Sequence, residues 1–158
     1  MDLSPPRLVF RFARFNELNL DELYEIMAAR QEVFVTEQKI MYVDCDNKDQ
    51  KAWHLIARCK EHGEIAAYLR VLDPGVKSPH PAIGRVLTRQ KYRLKGYGRQ
   101  LMAAAIEYCD RAFGKEPLVM SAQAYLQKFY EAFGFKVDSE VYMEEGIEHI
   151  HMTRIPKG

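Results

Sequence analysis

The residues from Arg93 to Arg99 read Arg-Leu-Lys-Gly-Tyr-Gly-Arg, and their types suit one task, the holding of an anion. From Gly98 onward Leu101, Met102, Ala105, Ile106 and Cys109 recur at the three-and-four spacing of one helical face, so a helix starts at the glycines. Backbone N–H groups at a helix start have no intrahelical acceptor and lie at the positive end of the macrodipole. Arg93, Lys95 and Arg99 add charge to those groups, and the combination fits a phosphate or pyrophosphate. Glycine at 96 and 98 allows a positive φ and a close approach to the anion.

Groups able to move a proton stand elsewhere. His149 and His151 alternate on one face of the last predicted strand, and His54 lies early in a central one. Glu37, Glu144 and Glu145 are carboxylates that could share the role. His149 and His151 have no third ligand at convincing spacing, so no metal site is expected. Phe129, Tyr130 and Phe133 form an apolar stripe in which a tyrosine would pack and hydrogen-bond.

These residues must be carried by elements, and the periodicities predict them. Arg7 to Phe15 alternates with Leu8, Phe10 and Phe12 on one face, which is a strand. Leu20, Leu23, Tyr24, Met27, Gln31 and Phe34 follow helical spacing with Asn19 or Asp21 as cap, and Val33 to Gln38 closes that region. Ile40 to Asp49, with Asp44, Asp46 and Asp49, reads as a substrate-facing loop. Trp53–Lys60 and Glu64–Leu72 form a hairpin across Glu61-His62-Gly63, and Asp73 to Pro81 is a loop. Ala82–Thr88 is a strand that delivers the chain to the glycine turn. Leu118–Ser121 is a short buried strand, and Leu126 to Phe133 is a second amphipathic helix capped by Gly134. Phe135–Tyr142 and Glu148–Ile155 are the last strands, joined through the acidic turn Met143 to Gly146. The pattern predicts an α+β fold, a mixed sheet of about seven strands flanked by helices, in a single domain covering residues 1–158. A strand, glycine turn, helix and strand in sequence fit a parallel crossover, which puts the anion at the carboxyl edge of the sheet.

A chain of 158 residues with 47% hydrophobic and 28% charged residues suits one soluble domain. The formal charge of +1 gives no global basic excess for nucleic acid. The three cysteines match no zinc or disulfide framework and suit reduced thiols in a cytoplasm, with Cys45 an exposed loop thiol and Cys109 in a helical core. Met1 to Phe10 does not resemble a secretory signal, and no stretch has the length of a membrane span.

Arg93-Leu94-Lys95-Gly96-Tyr97-Gly98 resembles the Arg/Gln-x-x-Gly-x-Gly/Ala signature of the Gcn5-related N-acetyltransferases, in the same strand-to-helix position. Phe129-Tyr130-Glu131-Ala132-Phe133-Gly134-Phe135 is similar to the later helix of that family. A closer resemblance, to the ElaA subfamily, runs through Leu23-Tyr24, Arg30 to Gln38, Ile83 to Val86, Ser121-Ala122-Gln123 and Gly146 to Met152. One departure is Leu94, where the subfamily has glycine, and it suggests a less tightly wound first turn.

The resemblance implies acetyl-coenzyme A as donor and no metal. It places the pyrophosphate on the amides of Leu94, Lys95, Gly96, Tyr97, Gly98 and Arg99 beside Arg93. The pantetheine would run along Val86, Leu87 and Thr88 like an added strand, with Gln123 also at the donor. One N–H of that strand would polarise the thioester carbonyl. Tyr130 aligns with the tyrosine that protonates the leaving thiolate, and His149, where the subfamily has His-Ile, is the first choice of base. The acceptor would be a small-molecule or peptide amine, without nucleic acid or membrane, and a homodimer is left open. Asp44, Asp46, Asp49, Glu144 and Glu145 would favour a cationic amine if they meet at its mouth; otherwise they are scattered solubilising charges. Arg30 to Gln38 also resembles acyl-homoserine-lactone synthases, longer enzymes of the same fold acting on S-adenosylmethionine. A third reading is a non-catalytic acyl-coenzyme A sensor, against which the retention of Tyr130 argues.

Overall fold

Leu8, Phe10 and Phe12 alternate along β1 (Leu8–Arg14) and pack against one side of the sheet, as period-two spacing requires. The computed structural model of the chain describes residues 4–157, so Met1 to Leu3 of the proline-bearing lead lie outside the described residues. The helix α1 (Leu20–Arg30) is capped by Asn19: its side chain accepts from the Glu22 amide at 2.8 Å, while Glu22 accepts from the Asn19 amide at 3.0 Å. It runs on without a break into a π-helical stretch, Gln31–Glu37.

The remaining strands are β2 (Ala52–Cys59), β3 (Ile65–Leu72), β4 (Ala82–Thr88), β5 (Leu118–Gln123), β6 (Phe135–Val137), β7 (Tyr142–Glu144) and β8 (Ile147–Arg154). Helix α2 (Tyr97–Phe113) connects β4 to β5, and α3 (Gln127–Glu131) follows β5. The sheet order is β1-β2-β3-β4-β5-β8-β6, with β7 also paired to β8. Only β4 and β5 run parallel among the described strand pairs, and α2 makes the crossover that a parallel pair needs.

Helices cover both faces. Leu101, Met102, Ala105 and Cys109 of α2 bury against Leu55, Ala57, Leu69 and Ile83, together with Met120, Ile150 and Met152. Each such large side chain contributes about 1.5–3 kcal/mol. Ile26, Ala29 and Val33 pack on the opposite face over Ile56, Tyr68 and Leu87. No helix of the described residues is long and apolar enough to cross a membrane.

The sheet is split in its middle. β4 and β5 pair only through Ala82 with Val119 and Ile83 with Met120. Beyond that, β4 bulges: Gly84 and Leu87 oppose Arg70 and Tyr68, three steps against two, and Arg85 takes a φ of 53°. A bulge twists and bends its strand. From Gly84 to Thr88, β4 therefore keeps β3 as its sole strand partner among the described residues, and β5 from Ser121 to Gln123 keeps β8. The two strands form the arms of a V.

The sheet thus has eight described strands where the spacing predicts about seven. The difference lies in Phe135–Tyr142, expected as one strand and found as β6 and β7 with a gap between them. The Asp138 amide makes a last backbone bond to the His151 carbonyl at 3.0 Å, after which the Ser139 hydroxyl takes the His151 amide at 2.8 Å and the Asp138 carboxylate binds the side chains of His151 and Thr153, so side chains take over from the ladder there. The expected second amphipathic helix is shorter, a 3₁₀ turn Ala124–Leu126 leading into α3. The acidic turn narrows to Glu145 and Gly146, both at positive φ (50° and 75°), as a two-residue hairpin turn requires.

Candidate active site

The helix α2 begins beside both arms of the V. A Cβ on Gly98 would lie 3.8 Å from the Thr88 hydroxyl, at the tip of β4, and 3.5 Å from the Phe129 ring of α3, which follows β5. Gly96 holds a φ of 79° at the helix cap, and no side chain caps the helix, so its first amides are free for a ligand. Lys95 and Arg99 have no ion partner among the described residues. Arg93 is committed: it donates to the Thr88 carbonyl at 2.8 Å and to Glu37 at 2.6 Å. Tyr97 offers only its backbone, since its ring is buried and its hydroxyl donates to the Pro6 carbonyl.

Leu94 adopts a φ of 62° with its side chain wholly exposed. The turn is therefore wound as a glycine would wind it, and not loosened as the departure from the subfamily pattern suggests. A leucine in the left-handed region costs about 1–2 kcal/mol.

Val86, Leu87 and Thr88 occupy the β4 arm. Leu87 is buried under α1, Val86 packs towards the opposite core, and Thr88 is half-buried. Their backbone edge towards β5 has no strand partner among the described residues, an opening suited to an extended ligand. Gln123 ends the β5 arm, half-buried, with no side-chain hydrogen bond among the described residues.

The Tyr130 ring belongs to the core, edge-on to Phe129 at 5.1 Å and to Phe135 at 6.3 Å. Its hydroxyl has no partner among the described residues. The sealed polar side-chain atoms left unpartnered there are Glu37 Oε1 and Arg70 Nε, so the Tyr130 hydroxyl opens to solvent. Burial pushes this phenol above its ordinary value, which keeps the proton on it at neutral pH.

The candidate histidines separate. His54 is sealed beneath the sheet face, its Nε2 donating to the Asp49 carbonyl (3.0 Å) and its Nδ1 accepting from the Tyr68 hydroxyl (2.6 Å). Burial, reinforced by Arg30 and Arg70, lowers its pKa and keeps it neutral. His151 sits at the rim against Asp138. His149 lies opposite Gln123 in the β5–β8 ladder, with Nδ1 donating to the Ile147 carbonyl (2.8 Å) and Nε2 3.4 Å from Glu144 Oε2. Ser121, the first β5 residue beyond the last β4 pair, donates to Glu144 Oε2 at 3.1 Å and meets the Tyr142 hydroxyl. Ser121 and Tyr142 escape a chemical reading of the sequence, since only the β5–β8–β7 register joins them to Glu144 and His149.

Asp44, Asp46 and Asp49 are not an acceptor mouth, nor are they scattered. Arg30, wholly buried, binds Asp44 at 2.9 Å and Asp49 at 2.6 Å. Arg70 binds Asp46 at 2.5 Å and Asp49 at 3.0 Å, and Arg85 at the bulge binds Asp44 at 2.7 Å. Burial would raise the carboxyl pKa of Asp46 and Asp49, but the guanidiniums outweigh it and hold both below the usual range. Among the described residues no group of three or more His, Cys, Asp or Glu side chains is arranged to hold a metal ion.

An uncapped helix start beside a parted pair of parallel strands is an arrangement suited to an extended ligand with an anionic end. The sequence pattern of the family described as "Acetyltransferase (GNAT) domain" matches residues 17–155. The chain belongs to this GNAT acetyltransferase family and is an acyltransferase. It is 42% identical over 144 residues to the UPF0039 protein sll0451 of Synechocystis, covering 90% of this chain and 93% of that one. The crystal structure of an acyl-CoA N-acyltransferase from Pseudomonas aeruginosa superposes with a TM-score of 0.88 at 40% identity, covering 93% of this chain and 99% of that one. Escherichia coli ElaA superposes with a TM-score of 0.87 at 34% identity, with the same coverages.

Proposed function

We propose that the protein is an N-acetyltransferase that moves the acetyl group of acetyl-coenzyme A to a primary amine by direct attack within a ternary complex. The observation that carries this reading is the V between β4 and β5, with the uncapped start of α2 beside Thr88 at the tip of β4. The amides of Leu94 to Arg99, with Lys95 and Arg99, hold the pyrophosphate, and Arg93 ties that turn to Thr88 and Glu37. Val86, Leu87 and Thr88 pair with the pantetheine, one of their N–H groups stabilises the oxyanion, and Gln123 flanks the donor from the other arm. His149, whose Nδ1 is turned to the Ile147 carbonyl, takes the amine proton on Nε2. Tyr130 gives its proton to the departing thiolate. The three free cysteines suit a reducing, cytoplasmic setting and a single domain acting without a metal.

The direct test is release of coenzyme A from acetyl-coenzyme A in the presence of a panel of amines. Acetyl-coenzyme A bound with no release for any amine would turn the reading to a sensor. Tyr130→Phe is expected to lower turnover by ~10²-fold or more while leaving the acetyl-coenzyme A Kd and the stability unchanged, since the hydroxyl has no partner to lose. Unchanged turnover would remove Tyr130 from the chemistry.

A further inference from the structure

Two hydrogen-bond acceptors face each other on the β5 side of the V. His149 spends its Nδ1 proton on the Ile147 carbonyl at 2.8 Å, so the neutral ring presents a lone pair at Nε2. Glu144 Oε2 lies 3.4 Å from that nitrogen and accepts the Ser121 hydroxyl proton at 3.1 Å. Glu144 Oε1 has no partner among the described residues. No lysine or arginine reaches this carboxylate among the described residues, whereas Asp44, Asp46 and Asp49 are each held by arginine. The Tyr142 ring stacks on His149 at 6.2 Å and its hydroxyl meets Ser121, so both acceptors are held in place. With the Nδ1 proton on the Ile147 carbonyl, Nε2 and the carboxylate are two acceptors close enough for a small cation bearing several N–H groups to donate to both.

Building on the acetyltransfer reading, we propose that Glu144 binds the ammonium group of the acceptor, and that the preferred acceptor is a primary amine with no carboxylate beside its nitrogen. The bound ammonium donates to Glu144 and points another N–H at His149 Nε2. That N–H bond breaks, its proton passes to Nε2, and its electron pair stays on nitrogen to attack the thioester. His149 then returns the proton to solvent, and the second N–H proton, lost as the C–S bond breaks and the amide forms, passes through solvent to replace the one Tyr130 gives the thiolate. A carboxylate on the neighbouring carbon would meet Glu144, with Glu145 and Glu148 exposed on the same hairpin, and like charges there repel it. The bias is therefore towards simple amines and against free α-amino acids.

Two matched pairs isolate the carboxylate: 2-phenylethylamine against phenylalanine, and butylamine against norvaline. The amine of each pair is expected to have a kcat/KM ~10–100-fold above its amino acid, the worth of one charge-assisted contact. Glu144→Gln should raise the amine KM by ~10-fold and narrow that ratio with the acetyl-coenzyme A Kd unchanged, and Glu144→Asp should restore part of the loss. Amino acids used as well as their amines would overturn the acceptor class, and an unchanged amine KM in Glu144→Gln would overturn the role of Glu144. Binding of 2-phenylethylamine and butylamine is followed separately through the His149 ring signals by NMR, in the wild type and in Glu144→Gln. Failure to bind acetyl-coenzyme A would overturn acetyltransfer alone. Failure of both amines to perturb His149, or equal perturbation in the variant, would overturn the ammonium site alone.

Discussion

The two arms of the V carry similar residue types in opposite states. On the β4 arm, Arg85 joins Arg30 and Arg70 to Asp44, Asp46 and Asp49, three positive and three negative charges closed on each other beneath α1. Beside the β5 arm, Glu144 of β7 meets only Ser121 and His149 among the described residues, and its side chain is 44% exposed. A carboxylate whose charge is already compensated can shape an arm but has little left for a ligand. One that no arginine or lysine reaches among the described residues keeps more of its charge available. The acidic loop is thus a device that fastens the bulged strand to α1, and the acidic hairpin is the face proposed for the acceptor.

The largest test breaks the closed arm. Asp49 is shared by Arg30 and Arg70, so Asp49→Ala removes one carboxylate from each buried guanidinium, leaving Arg30 to Asp44 and Arg70 to Asp46, and breaking buried ion pairs costs about 3–5 kcal/mol. Urea denaturation is the measurement. A loss below about 1 kcal/mol would erase the difference between the arms.

Acid probes the same arm through His54, which bonds to the Asp49 carbonyl. Its folded pKa is lowered, so as pH falls the unfolded chain takes the proton first. The stability tied to neutral His54 is whole above the ordinary histidine value of ~6.5 and falls below it, by up to about 1.4 kcal/mol per pH unit. Asp46 and Asp49, also lowered, add a second decline below the ordinary carboxylate value of ~4. Urea midpoints between pH 7.5 and 5 should fall in the wild type and stay nearly level in His54→Gln. Equal slopes would place the acid sensitivity elsewhere.

What could be read beforehand follows from the range of each interaction. The turn at Gly96 and Gly98, the Asn19 cap and the pattern of β1 depend on neighbours within a few residues, and the sequence shows them directly. The V itself depends on a bulge between β3 and β4, which no local pattern announces. The acids show the limit most sharply. Nothing in Asp44 or Glu144 as a residue says which will be neutralised. Arg85 approaches Asp44 from 41 positions away, and Ser121 reaches Glu144 across 23. The gap after β6 was hidden likewise, because Asp138 and Ser139 read as strand until His151 and Thr153 lie opposite them.

The comparison also says where a removable cost should sit. The charges of the closed arm are paired with one another, whereas the donor turn keeps Leu94 at a φ of 62° with its side chain in solvent. Leu94→Gly relieves that strain and loses no packing. After the greater unfolded-state entropy of glycine is set against it, a gain of about 0.5–1 kcal/mol is expected in the urea midpoint. A loss would mean that the leucine is held there by contacts of its own.

The smallest expected change separates the arms most cleanly. Glu144→Gln keeps an oxygen for the Ser121 hydroxyl, removes a charge that no arginine or lysine compensates, and alters a side chain already 44% exposed. Its stability should stay within about 0.5 kcal/mol of the wild type, as surface substitutions away from buried networks do. A drop of 1.5 kcal/mol or more would make Glu144 a structural carboxylate like Asp49, and the hairpin would then be a second fastening instead of a face kept open for a cation.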